Sequence, residues 1–237
     1  MTQQLFSCSR HYRAPKPDDL RLDTPLGTVN FGARVGHVDI ATHGYAVFDL
    51  PGGRVLAVEA DLLSMELAIC RIEPVLPKGL AVDECWGAVL RYVSERSSDS
   101  GLLRCQLLTE TADIVGGLDC GEGVYAKTWS SNEYTLTMGS EDADALFARA
   151  KSGESLPPEL ADHFTRMAYE DALYDSDIAG LGYNLPASVP GLLCQYHILI
   201  AWSKDSEDSV GTSAAVDQSA EYVASQCCPA ASHATGI

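Results

Sequence analysis

The chain has 237 residues, 46% of them hydrophobic and 21% charged, with 33 Asp/Glu against 16 Lys/Arg and a formal charge of −17. This composition suits a folded protein and excludes a disordered acidic tract. The charge repels nucleic acid and anionic membrane and attracts cations and basic proteins.

The charge is uneven along the chain. Residues 1–60 balance six Lys/Arg with six Asp/Glu, whereas 111–237 carry five against nineteen. The longest apolar runs, near 192–194 and 198–202, are far short of the ~20 residues that span a bilayer. Met1–Pro17 has basic residues but no apolar stretch of a secretory signal. The expectation is therefore a cytoplasmic protein with neither nucleic acid nor membrane as a partner.

Residues 1–33 read as an irregular lead-in with a short strand near Val29–Phe31, and 35–40 alternates weakly. Gly44–Leu50 and Arg54–Ala60 flank Pro51-Gly52-Gly53 and form a hairpin pattern, in which Gly supplies positive φ at the reversal. Asp61–Cys70 fits a short helix or a strand, before Pro74 and Pro77 break the chain. Val82, Cys85, Trp86, Val89, Leu90 and Val93 recur at helical spacing, so a helix is expected to about Arg96 with Asp83 near its start. A weak subdivision falls near 97–101.

Leu102–Leu108 reads as a buried strand. Val124–Ser130 and Tyr134–Met138 form a second hairpin across Ser131-Asn132-Glu133. Glu141–Lys151 reads as a helix capped by Ser140, with acids in its first turn, and Pro157–Tyr174 as another. Asp175–Gly191 is loop-like. Leu192–Trp202 is the strongest strand, with Tyr196, Ile198, Ile200 and Trp202 on one face and His197, Leu199 and Ala201 on the other. Lys204–Gly211 reads as an acidic loop, Ala214–Val216 as an edge strand, Gln218–Gln226 as a helix, and 229–237 as a disordered tail.

The resulting fold class is α+β, a mainly antiparallel sheet with helices packed on one side, in a single globular domain over 1–228. The eight cysteines show no C-x-x-C spacing and read as buried free thiols, apart from the vicinal pair Cys227–Cys228, which suits oxidation or metal binding.

Several constellations carry chemistry. His37, Asp39 and His43 offer two imidazoles and a carboxylate for a divalent metal, with Glu59 or Asp61 as a base. Gly116-Gly117…Gly121-Glu122-Gly123 resembles the glycine-rich loop of protein kinases. The third glycine and every other kinase element are absent, which excludes that activity. Asp175-Ser176-Asp177…Gly180 opens like a calcium loop but has Pro186 where a bidentate Glu is needed. Cys194 and His197 fall on opposite strand faces and form no dyad. His163 shares a helix face with Glu159 and Arg166.

Two functional expectations follow. The first is an acidic binding protein of immunity or inhibitor type. Its basic protein partner would meet Glu141, Asp142, Asp144, Glu170, Asp171, Asp175, Asp177, Asp205, Glu207 and Asp208, and it needs no cofactor. Acidity also serves solubility alone. The second is a metal-dependent enzyme of hydrolase or oxygenase type built on His37, Asp39 and His43. Nothing in the sequence speaks to oligomeric state.

Overall fold

A computed structural model describes residues 5–6, 8–60, 62–97, 100–109, 115–121, 123–170, 173–175, 179–204 and 209–227, with the backbone alone at 115–121, 169 and 175. The expected tail lies outside the described residues.

The strands are β1 (His11–Arg13), β2 (Arg21–Thr24), β3 (Gly27–Val35), β4 (Val38–Asp39), β5 (Ala46–Leu50), β6 (Gly53–Ala60), β7 (Leu63–Arg71), β8 (Glu84–Ser94), β9 (Gly101–Leu108), β10 (Val115–Gly121), β11 (Val124–Ser130), β12 (Thr135–Glu141), β13 (Tyr174–Asp175), β14 (Gly180–Leu185) and β15 (Leu193–Ser203). The helices are α1 (Ile40–His43), α2 (Ala143–Ser152), α3 (Ala161–Tyr169), α4 (Ser209–Val216) and α5 (Ala220–Cys227), and a 3-10 turn, Pro158–Leu160, precedes α3. One sheet has the order β1-β5-β6-β7-β8-β15-β12-β11-β10 and the other β13-β14-β9-β3-β2, with β4 paired to β3. Every pairing is antiparallel. The sheet-dominated expectation holds at this level, and both expected hairpins form.

The two sheets meet face to face. Leu67, Leu90, Ile198 and Met138 of the large sheet pack with Phe31, Leu103, Cys105 and Tyr183 of the small one. The opposite face of the large sheet buries Val55, Ala68, Val89 and Leu199 against Ala215, Val216 and Val223 of α4 and α5. The large sheet is thus covered on both faces, and its central strands are apolar at both parities.

That double burial explains the main misreading. The segment expected to be a helix, Val82–Arg96, is the strand β8. Cys85 and Val89 face α4 and α5, while Ala88, Leu90 and Tyr92 face the small sheet. A strand buried on both faces is nearly continuously apolar, and helical spacing can be picked out of any such run. Other corrections follow. The lead-in contains β1, β2 and a nine-residue β3. Residues 180–185 are a strand rather than loop. Residues 214–216 belong to α4 rather than to an edge strand. The 61–70 segment resolves as strand β7 from Leu63 onward.

The β5–β6 hairpin forms as expected, with Leu50 paired to Gly53, but for a different reason. Neither Gly52 nor Gly53 has positive φ. Gly53 is required by close approach: a Cβ there would lie 2.1 Å from the Ile69 carbonyl oxygen of β7.

The helices occupy two places. α4 and α5 lie on the outer face of the large sheet, whereas α2 and α3 insert Leu146, Ala150 and Phe164 into the core between the sheets. α2 begins two residues later than expected. Its cap is Asp142, whose Oδ1 accepts from the Ala145 N–H, rather than Ser140, whose hydroxyl donates to the His197 carbonyl.

The cysteines also depart from expectation. Cys70 of β7 is disulfide-bonded to Cys227 at the end of α5, and Cys8 is disulfide-bonded as well. Cys228 lies outside the described residues. Cys85, Cys105 and Cys194 are buried free thiols.

Candidate functional site

The expected acidic surface divides into four groups. Glu141, at the end of β12, has a side chain 13% exposed and is gripped by Arg149 of α2: Nε donates to Oε1 at 2.9 Å and Nη2 to Oε2 at 2.8 Å. Asp142 is spent on local structure, with Oδ1 capping α2 and Oδ2 accepting from the Gly123 N–H at 3.1 Å. Asp144 and Glu170 are exposed on α2 and just beyond α3. Asp171, Asp177, Asp205, Glu207 and Asp208 lie outside the described residues, and Asp175 is described by its backbone alone, in β13. Glu141 and Asp142 are therefore structural groups, and the exposed charge rests on their neighbours.

The outer face of the large sheet carries a polar belt that sequence reasoning missed. Glu66, Arg91 and Gln195 stand in register across β7, β8 and β15. Glu66 pairs with Arg10 at 2.6 Å and accepts from the Phe6 N–H at 2.8 Å. Arg91 donates from Nε to the Gln195 side-chain oxygen at 2.7 Å, and its guanidinium lies over the Phe6 ring. The Gln195 amide donates to the Ala220 carbonyl at the start of α5, and Arg149 Nη2 donates to the Gln195 carbonyl. The belt thus fastens the N-terminal segment, α2 and α5 to one sheet. In a linear reading these are isolated polar residues inside apolar runs, and only the strand register collects them.

His197 ends the belt. It is buried, and its Nδ1 lies 3.6 Å from Glu141 Oε2, beyond hydrogen-bond reach. Burial lowers the affinity of the imidazole for a proton; Glu141 opposes that effect and Arg149 reinforces it. His197 is therefore neutral at pH 7, and its contact with Glu141 is not an ion pair.

The remaining candidates are scattered. The Asp39 carboxylate caps α1 by accepting from the Ala41 N–H at 2.9 Å, while His37 and His43 are exposed. Among the described residues no three His, Cys, Asp or Glu side chains form a group that could hold a metal. Glu59 accepts from Ser64, and Asp61 lies outside the described residues, as do Ser176 and Asp177 of the calcium-like segment. His163 meets Arg166 on an exposed face of α3. Burial pushes Cys85 up to about 12 and Cys194 up to about 11, so neither is a thiolate at neutral pH.

No family model matches the chain, and no curated protein matches it. Among solved structures it is similar to a chain described as a "Putative kojibiose phosphorylase from human microbiome", with 10% identity and a TM-score of 0.44, over 85% of this chain and 27% of the other. The chain thus spans about a quarter of the length of that structure. Among the described residues no helix is long and apolar enough to cross a membrane.

Proposed function

We propose that the chain is a binding protein of immunity or inhibitor type whose acidic helical face docks a basic protein partner. The observation that carries this reading is the concentration of exposed acids on α2, α3 and the segments flanking them. Residues 141–170 hold seven acids and three bases. Of those bases, Arg149 is buried on Glu141, Arg166 meets His163, and Lys151 lies over the Phe147 ring. Asp144, Glu154, Glu159, Asp162 and Glu170 remain exposed, with Glu221 exposed at the start of α5. Asp217 holds its proton more tightly than an ordinary carboxyl because of partial burial and the charge of Asp142. A cation placed on this face relieves that repulsion and is steered to it.

The disulfide between Cys70 and Cys227 supports an oxidising compartment rather than the cytoplasm expected from the sequence. No observation among the described residues favours the metal-dependent enzyme.

The test is retention of a basic protein from source extract at ~0.05 M salt and its release at ~0.5 M, where screening shortens the reach of charge. An Asp144→Lys/Glu170→Lys variant should lose most of that retention. If wild type retains no basic protein at low salt, or if the variant retains it equally, the reading fails.

A further inference from the structure

At one end of the sandwich the β2–β3 turn, the end of β9 and the β11–β12 turn enclose an open groove of about 950 Å³. This lies in the size range of small-molecule sites. It is built from different elements than the acidic helices. Among the described residues two charged side chains line it, Arg21 and Glu133, one of each sign. In a chain of formal charge −17 the described lining of the groove is charge-balanced. Its other polar groups include the amides of Gln106 and Asn132 and the hydroxyls of Thr28, Thr109 and Ser131, and its apolar surface includes Tyr134 and Leu108, which is 44% exposed.

The walls are held by their own bonds. Gly27, at φ +135°, approaches β9 so closely that a Cβ would lie 2.2 Å from the Leu108 carbonyl oxygen. This fixes the β2–β3 turn against the groove. In the opposite wall the Ser131 N–H donates to the Tyr134 carbonyl at 2.9 Å, and the Ser131 hydroxyl oxygen accepts from the N–H groups of Glu133 and Tyr134. Asn132 and Glu133 are therefore presented on a braced turn, which lowers the ordering cost of binding. Asn30 is in register with both Arg21 and Gln106, and its buried Oδ1 has no hydrogen-bond partner among the described residues. The nearby carboxylates of Asp18 and Asp23 are engaged, by Arg21 at 3.3 Å and by the Thr28 hydroxyl at 2.9 Å.

We propose that this groove binds a neutral saccharide. Balanced charge disfavours an ionic ligand. Amides, a carboxylate and a guanidinium supply donors and acceptors side by side, as adjacent hydroxyls require. Tyr134 and the exposed Leu108 offer an apolar surface to the C–H face of a sugar ring.

The test is affinity electrophoresis of the full chain through gels containing, separately, soluble β-glucan, starch, xylan, galactomannan and polygalacturonate. At least one neutral polysaccharide is expected to retard the protein. An Asn132→Ala/Glu133→Ala variant is expected to weaken that retardation at least tenfold, with an unchanged melting temperature. Gln106→Ala, on the strand side of the groove, is the second variant and should weaken it independently. Retardation by polygalacturonate alone, by no polysaccharide, or equally in wild type and both variants overturns the proposal. The acidic-face reading stands or falls separately, because Asp144→Lys/Glu170→Lys leaves the groove intact.

Discussion

Arg149 reaches from α2 to hold both carboxylate oxygens of Glu141 on β12, and the same guanidinium donates to the Gln195 carbonyl on β15. Helix and sheet are joined there by a charge pair largely removed from water. Removing one partner strands the other. Arg149→Ala is expected to cost roughly 3–5 kcal/mol in urea unfolding, and the double replacement Arg149→Met/Glu141→Leu should cost clearly less. Equal losses in the two variants would show that the helix packing, not the stranded charge, sets the effect.

The neutral, buried His197 makes stability depend on pH. Its folded-state proton affinity is lowered, chiefly by burial, whereas the unfolded chain titrates near the ordinary value of ~6.5. The unfolded state therefore binds the extra proton. The contribution of His197 is complete above that value and is lost as pH falls from it toward the depressed folded value. His197→Gln should flatten the stability profile below about pH 6.5. An unchanged slope in the variant would assign the acid sensitivity to other groups.

The Cys70–Cys227 bond ties α5 to β7 across 157 residues of sequence. α5 carries Val223 onto the outer face of the large sheet. Cys70→Ser is expected to lower stability by about 2–5 kcal/mol under oxidising conditions. Reductant should then destabilise the wild type more than the variant. The same loss with reductant in both would place the effect on the Cys8 bond.

Two adjacent glycines should respond oppositely. Gly53→Ala drives a Cβ into the Ile69 carbonyl and is expected to cost at least about 1–3 kcal/mol, since β6 and β7 must part. For Gly52 the nearest atom to an added Cβ is the Arg71 oxygen at 4.0 Å, so Gly52→Ala should stay within about 0.5 kcal/mol. Thermal melts of the two variants side by side decide the point.

Local signals were legible where one rule acted alone. Pro51-Gly52-Gly53 and Ser131–Glu133 marked reversals between apolar runs, and β15 stood out by the length of its apolar run even though both its faces are buried. The β8 segment misled because a sheet covered on both faces erases the alternation that identifies a strand. Asp142 and Glu141 looked like surface acids because a carboxylate in sequence carries no sign of its partner. One of them caps a helix and the other meets an arginine eight residues away.

Composition, charge and the local strand and turn signals determined that the chain folds, that it is dominated by a mainly antiparallel sheet, and that its acids concentrate in its second half. These properties follow from side-chain chemistry and short-range backbone preference. Only the tertiary structure decided which strands share a sheet, and hence that Glu66, Arg91 and Gln195 form one belt. It alone decided that Cys70 meets Cys227, and that residues near 21, 106 and 132 enclose a groove. Those contacts join positions tens to more than a hundred residues apart. Which distant segments meet is set by packing two sheets around one core, and no local pattern in the chain encodes it.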